Sequence, residues 1–316
     1  MKRRFTALAA AGVLVWSLAA CGDDSTSTAT TAAATADSAA PAEADASAPD
    51  TSVMGPVPER IVSLSPTATE MLFAIGADDQ VVAVDEMSNY PAEALAKATA
   101  LSGYTPNVEA IAAYEPDLVV HDGSTDLGAQ LDSLGIANWV GAAAMTFDDI
   151  YVQIEQLGAA TGHVDEAEAV VADMRAAIEA AVASVPKLDK PPRYYHELDP
   201  TYFSVTSNTF IGEVYGLFGL RNIADTAEGT TDYPQLSEEF IISQSPDLIF
   251  LADSTCCGES RDSVAQRPGW AATSAVSTGS VFIIDDDVAS RWGPRVVDYV
   301  ELVADAMAYV ADLSAG

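Results

Sequence analysis

A strand-helix grammar that occurs twice constrains this chain more than any other feature. Glu109-Ala110-Ile111 followed by Pro116-Asp117-Leu118-Val119-Val120 returns as Glu239-Phe240-Ile241 followed by Pro246-Asp247-Leu248-Ile249-Phe250. In each copy a helix stops ahead of Pro-Asp, and an uninterrupted apolar strand follows, as in sheets buried on both faces. A second echo pairs Glu70 and the later Gly76 with Glu213 and the later Gly219, in the same order. Two echoes in one order favour a duplicated lobe over a single large sheet.

The remaining pattern fits parallel βα units. Strands are predicted over residues 60–64, 81–84, 118–121 and 136–140, then over 193–198, 248–251 and 281–284. A helix is predicted from Thr67 to Ile75, stopped by Gly76, and others begin near Asn107 and Leu127. Between the halves, Phe147 to Val185 is one apolar-periodic stretch, punctuated at Gly162 and closed by Pro186. Within it Ile178, Ala181, Val182 and Val185 keep the spacing of an amphipathic helix. A last helix is predicted near Pro294, where proline suits a first turn.

The N-terminus speaks about location. Lys2, Arg3 and Arg4 precede an apolar run that ends at Ala20, so residues 1–20 read as a secretory signal peptide. That run is short of the roughly 20 residues a spanning helix needs. Residues 21–58 hold Ala, Ser, Thr, Asp and Pro and no aromatic, which predicts a disordered tether. A first lobe over 59–145, a helical linker over 146–190 and a second lobe over 191–316 follow.

Charge and motifs then exclude whole classes of function. Fourteen Lys and Arg stand against 47 Asp and Glu, a net charge of −33, which repels phosphate backbones and excludes nucleic acid. Three histidines are present: His121, His163 and His196. No HExxH, P-loop, GxSxG elbow or paired CxxC accompanies them, so no enzyme, cofactor or resident metal is expected. His163 reads as a helix cap, and His121 and His196 as either pocket-edge or core residues. Cys256 and Cys257 are too few for a disulfide framework. A vicinal bond, two free thiols and a local packing role all stay open for them.

Ligands of open α/β sheets bind at the C-terminal ends of the strands. The loops predicted there carry Tyr90, Tyr104, Tyr202, Phe203 and Trp292, aromatics suited to a large planar or macrocyclic ligand.

RIVSLSPTATEMLFAIGA, NVEAIAAYEPDLVV, SNTFIGEVYGLFGLRNIA and the RPGW to GSVFIIDDDVASRWGPRVVD region resemble the ABC-transporter binding proteins for iron-siderophores, haem and vitamin B12. The resemblance implies two Rossmann-like α/β lobes joined by one long backbone helix, with the solute held in the cleft between them. It implies a monomer that delivers its ligand to a permease dimer and its ATPase. Leu18-Ala19-Ala20-Cys21 resembles a lipobox, which implies an acylated Cys21 and a lipid anchor on the extracytoplasmic face of the membrane. Tyr90, Asp287 and Arg291 match ligand contacts of the vitamin B12 receptors, whereas Gly103 and Asp122 stand where those receptors have Trp. Arg291 and Trp292 are the leading ligand contacts by this reading. Glu70 and Glu213 match the glutamates that dock such receptors on their importer. A lipid-anchored sensor with the same fold and no transporter is the alternative.

Overall fold

The computed structural model describes residues 56–227, 229 and 231–315. The signal peptide, Cys21 and nearly all of the tether lie outside the described residues.

Strand β1 (Ile61–Ser63) leads into α1 (Pro66–Ala74), where the Ser65 hydroxyl caps the Ala68 N–H and Pro66 occupies the first turn. Then come β2 (Val81–Val84), α2 (Val108–Ala112), β3 (Leu118–His121), α3 (Leu127–Leu134) and β4 (Asn138–Val140). These four strands form one parallel sheet in the order β2-β1-β3-β4. Two helices follow, α4 (Phe147–Thr161) and α5 (Val164–Ser184). The second half runs through β5 (Arg193–Glu197), α6 (Phe210–Gly216), β6 (Arg221–Asn222), α7 (Glu238–Gln244), β7 (Leu248–Leu251) and α8 (Ser254–Cys257). It ends with α9 (Arg261–Gln266), α10 (Ser274–Thr278), β8 (Val281–Ile283), α11 (Asp286–Ser290) and α12 (Val296–Ala315). Its strands form a second parallel sheet with the equivalent order, β6-β5-β7-β8.

The repeated Pro-Asp has a structural task in each half. Asp117 accepts hydrogen bonds from the Glu59 and Arg60 backbone N–H groups at 2.9 Å, tying the start of β3 to the start of β1. Asp247 does the same for β7 and β5 through the Arg193 N–H, also at 2.9 Å. The two arginines then turn their guanidinium groups onto the end of the preceding helix: Arg60 onto the Tyr114 carbonyl, Arg193 onto that of Ser245. Those donors satisfy helix-end carbonyls that have no partner within the helix. Glu115 and Ser245, each just ahead of the proline, both adopt positive φ, 49° and 44°.

One continuous buried cluster links the inner faces of both sheets through α1, α4, α5 and α12, with Ile61, Met71, Ile154, Met174, Tyr194, Tyr215 and Val303 among its members. Each sheet also has its own outer cluster. Val62, Leu64 and Val119 pack with Leu127 and Leu131 in the first half, and Ile249 and Leu251 with Val264 and Trp270 in the second. Successive strand residues alternate between clusters, as the pleat requires.

The linker is punctuated at Gly162, as the sequence predicts. It is two helices that pack on each other, broken where Gly162 turns to φ 80° and stops α4. Close packing stabilises the break, because a Cβ at Gly158 would collide with Ala167 at the start of α5. The 21-residue α5 is the central one, packed between α4 and α12. His196 proves to be core: fully buried, bonded through Nδ1 to the Tyr215 hydroxyl at 2.8 Å, with burial pushing its pKa down to about 3.

Candidate functional site

The loops at the C-terminal ends of the two sheets meet in a charged cluster built from both lobes. From the first lobe come Glu70 on α1, and Met87 and Asn89 on the loop after β2; from the second come Asp287 on α11, Arg291 and Arg295. Arg291 donates from Nη1 to Glu70 Oε1 at 2.9 Å and to Asn89 Oδ1 at 2.8 Å. Its Nη2 reaches the Met87 carbonyl at 3.1 Å and Asp287 at 2.7 Å. Arg295 closes a fork on Glu70, Nε to Oε2 at 2.9 Å and Nη2 to Oε1 at 2.6 Å, and lies 4.2 Å from the Tyr90 ring centroid. Asn89 completes the set by donating to Asp287 at 2.8 Å. Two carboxylates and two guanidiniums balance, and the charges are deep: the Glu70 side chain is 1% exposed and that of Arg291 6%.

This arrangement engages three of the residues expected at the site. Both Arg291 nitrogens that would grip a ligand already hold protein acceptors, so Arg291 is an interlobe residue here. Glu70 is not a free surface carboxylate, because the two arginines occupy both of its oxygens. Trp292 packs against the main core, and its indole N–H is buried without a partner. Tyr90 and Asp287 join the interlobe cluster, but Tyr104 stands apart from it at 76% exposure.

A pocket of about 540 Å³ opens on this seam, walled by Glu70, Phe73, Tyr90, Pro294, Arg295 and Asp298. A groove of similar size, about 560 Å³, lies around Lys187, Pro192, Asp247 and Ser280, beside the N-terminal ends of the second sheet. Strand polarity places ligands at the other end, so the seam is the better candidate.

Tyr202 and Phe203 occupy the loop after β5. Tyr202, at φ 68°, stacks on Trp270 with ring centroids 5.9 Å apart, while Phe203 is partly exposed. Beneath them is a buried acid cluster that the sequence did not single out. Arg267 forks onto Glu197 at 2.7 and 2.6 Å and also reaches Glu259 at 2.7 Å. Asp253 beside them is fully buried, with neither carboxylate oxygen hydrogen-bonded to a donor. Burial first, and then the Glu197 carboxylate, push its pKa up to about 8. Glu197 and Asp253 end β5 and follow β7, a position that could have flagged them; nothing in the sequence tied Arg267 to either.

Cys256 and Cys257 are joined by a disulfide on the exposed α8. Asp286 of α11 holds this helix by accepting from the Thr255 and Cys256 N–H groups at 3.1 and 2.7 Å. This contact ties α8 to α11, the helix that also carries Asp287. Glu213 is half-buried, with one carboxylate oxygen unpartnered and its pKa raised by burial. Among the described residues no three His, Cys, Asp or Glu side chains converge as a metal site. None of the described helices is long and apolar enough to cross a membrane.

Comparison with known proteins agrees with this architecture. The cobalamin-binding protein of Halobacterium salinarum is 33% identical over 257 residues, covering 79% of this chain and 69% of that protein. The Bacillus subtilis protein YvrC, described as an uncharacterized ABC transporter substrate-binding lipoprotein, is 29% identical and is matched over 97% of this chain and 98% of its own. The crystal structure of the periplasmic vitamin B12-binding protein BtuF of Vibrio cholerae superposes with a TM-score of 0.64 at 30% identity, covering 79% of this chain and 96% of that one. The family model described as periplasmic binding protein matches residues 61–288, and the chain belongs to that family.

Proposed function

We propose that this protein is the extracytoplasmic receptor of an ABC importer, that it captures a cobalamin-type macrocycle between its lobes, and that it catalyses no reaction. The observation that carries the ligand class is the 33% identity to a cobalamin-binding protein across most of the chain. The site chemistry supports it. Tyr90, Tyr104, Tyr202 and Phe203 offer apolar faces on loops at the strand ends, and Asp287 and Arg291 offer polar groups suited to amide side chains. Ferric siderophores and haem are the competing ligands. Cys21 is the proposed acylation site after removal of residues 1–20, so the mature receptor stays on the outer face of the membrane. Glu213 presents a carboxylate to the importer. Glu70 joins it only when its arginines let go.

Titration of the purified protein with cyanocobalamin, haemin and a ferric hydroxamate, followed by calorimetry, tests the ligand. Cyanocobalamin should bind with a Kd of about 1 μM or tighter, near −8 kcal/mol. The other two should be at least about 100-fold weaker. No heat with cyanocobalamin at about 100 μM, with tight binding of either competitor, would replace the corrinoid by that ligand.

A further inference from the structure

We infer that Glu70, Arg291 and Arg295 form a latch that holds the two lobes together, and that its opening limits the rate at which solute is admitted. Three observations converge. Every donor of the two guanidiniums described above belongs to the second lobe, and the acceptors Glu70, Asn89 and the Met87 carbonyl belong to the first. Among the described residues the only acceptor from the same lobe is Asp287, which is itself held across the seam by Asn89. The Glu70 and Arg291 side chains are withdrawn from water, so salt screens their pairing little and the loss of one partner leaves the other buried without it.

The geometry also explains why such a contact stays reversible. The residues lie on α1, on a loop and at the α11–α12 junction, not within either sheet, so they can separate without disturbing strand pairing. The seam pocket reaches Glu70 and Arg295 from solvent, giving water a route to both charges as they part. Asp287 and Arg291, two of the residues that would meet a solute, are both engaged in the seam. Binding must therefore exchange one set of partners for the other, and the apparent affinity is reduced by the small open fraction.

The gating half of this inference rests on the receptor reading; the latch itself does not. Spin labels on Gln130→Cys of α3 and Asp262→Cys of α9, both exposed, report the distance between lobes in a Cys21→Ser background. The unliganded protein should give one narrow distance. Asn89→Ala, which removes two cross-seam bonds without stranding a charge, and the paired change Glu70→Gln with Arg295→Gln should each add a longer, broader population. Stopped-flow mixing with cyanocobalamin should show association about tenfold faster in these variants. Unchanged distances in Asn89→Ala and in the folded double variant would overturn the latch. Broadened distances with unchanged association would overturn its gating role. Failure of cyanocobalamin to bind any form counts against the ligand assignment alone, since the distances need no ligand.

Discussion

The Asp253 pKa is pushed up to about 8 for reasons visible around it. Asp253 is buried beside the Glu197 side chain, with Glu259 nearby and Arg267 already engaged by both glutamates. Its folded pKa of about 8 lies above the ordinary 3.8, so the folded chain binds more protons than the unfolded one between those values. Stability from this residue is therefore full below about pH 4 and is lost as pH rises towards 8. Asp253→Asn should remove that decline. Thermal melts of the two proteins should nearly coincide at about pH 4 and diverge by pH 8, with the variant higher by at least about 3 °C, roughly 1 kcal/mol for a domain of this size. A constant offset between them would mean that Asp253 does not titrate in this range. Chemistry of this kind is poorly legible in sequence. Arg267 lies far along the chain from Glu197, as Arg291 does from Glu70, and nothing local announces either pairing. Pattern and resemblance single out Tyr90, Asp287 and Arg291, yet neither shows that Asp287 and Arg291 pair across the seam with Asn89.

Elements were far more legible, because their signals are local. Seven of the eight strands follow from apolar runs, and Asn107 and Ser65 cap helices where their residue types suit a cap. The two-residue β6 escaped notice because Arg221–Asn222 is too short and too polar to show a period. The short helices α8 to α11 fall below the length at which helical periodicity can be read. At α4 the signal is strong. Thr146 caps the Asp149 N–H at 3.2 Å, while Asp149 accepts from the Thr146 and Met145 N–H groups at 2.8 and 2.9 Å. This reciprocal box fixes the start of the helix that leaves the first lobe. Thr146→Ala should cost about 1 kcal/mol of unfolding free energy. Urea unfolding measures it, and Thr146→Ser should recover most of the loss. An equal loss in both variants would point to methyl packing and not to the cap.

At the scale of the whole molecule the dominant quantity is charge. Forty-seven acids face 14 bases, and the bases are partly withdrawn from the surface. Arg193 is turned onto a helix end, Arg267 onto the acid cluster, and Arg291 and Arg295 onto the interlobe seam. What solvent meets is therefore more one-sided than the overall count, and its self-repulsion opposes the compact state. The interior pairs respond weakly to salt, but the surface field is screened over about 10 Å at 0.1 M and about 3 Å at 1 M. Sodium chloride should then stabilise the protein, most steeply at low concentration where the screening length changes fastest. Between about 0.02 and 0.5 M the melting temperature should rise by several degrees, equivalent to about 1–2 kcal/mol, and then flatten. Sucrose, which strengthens burial without screening charge, should give no such early steep rise. A rise linear in salt throughout would assign the effect to apolar burial, and a flat curve would mean that the exposed carboxylates are too dispersed to oppose folding.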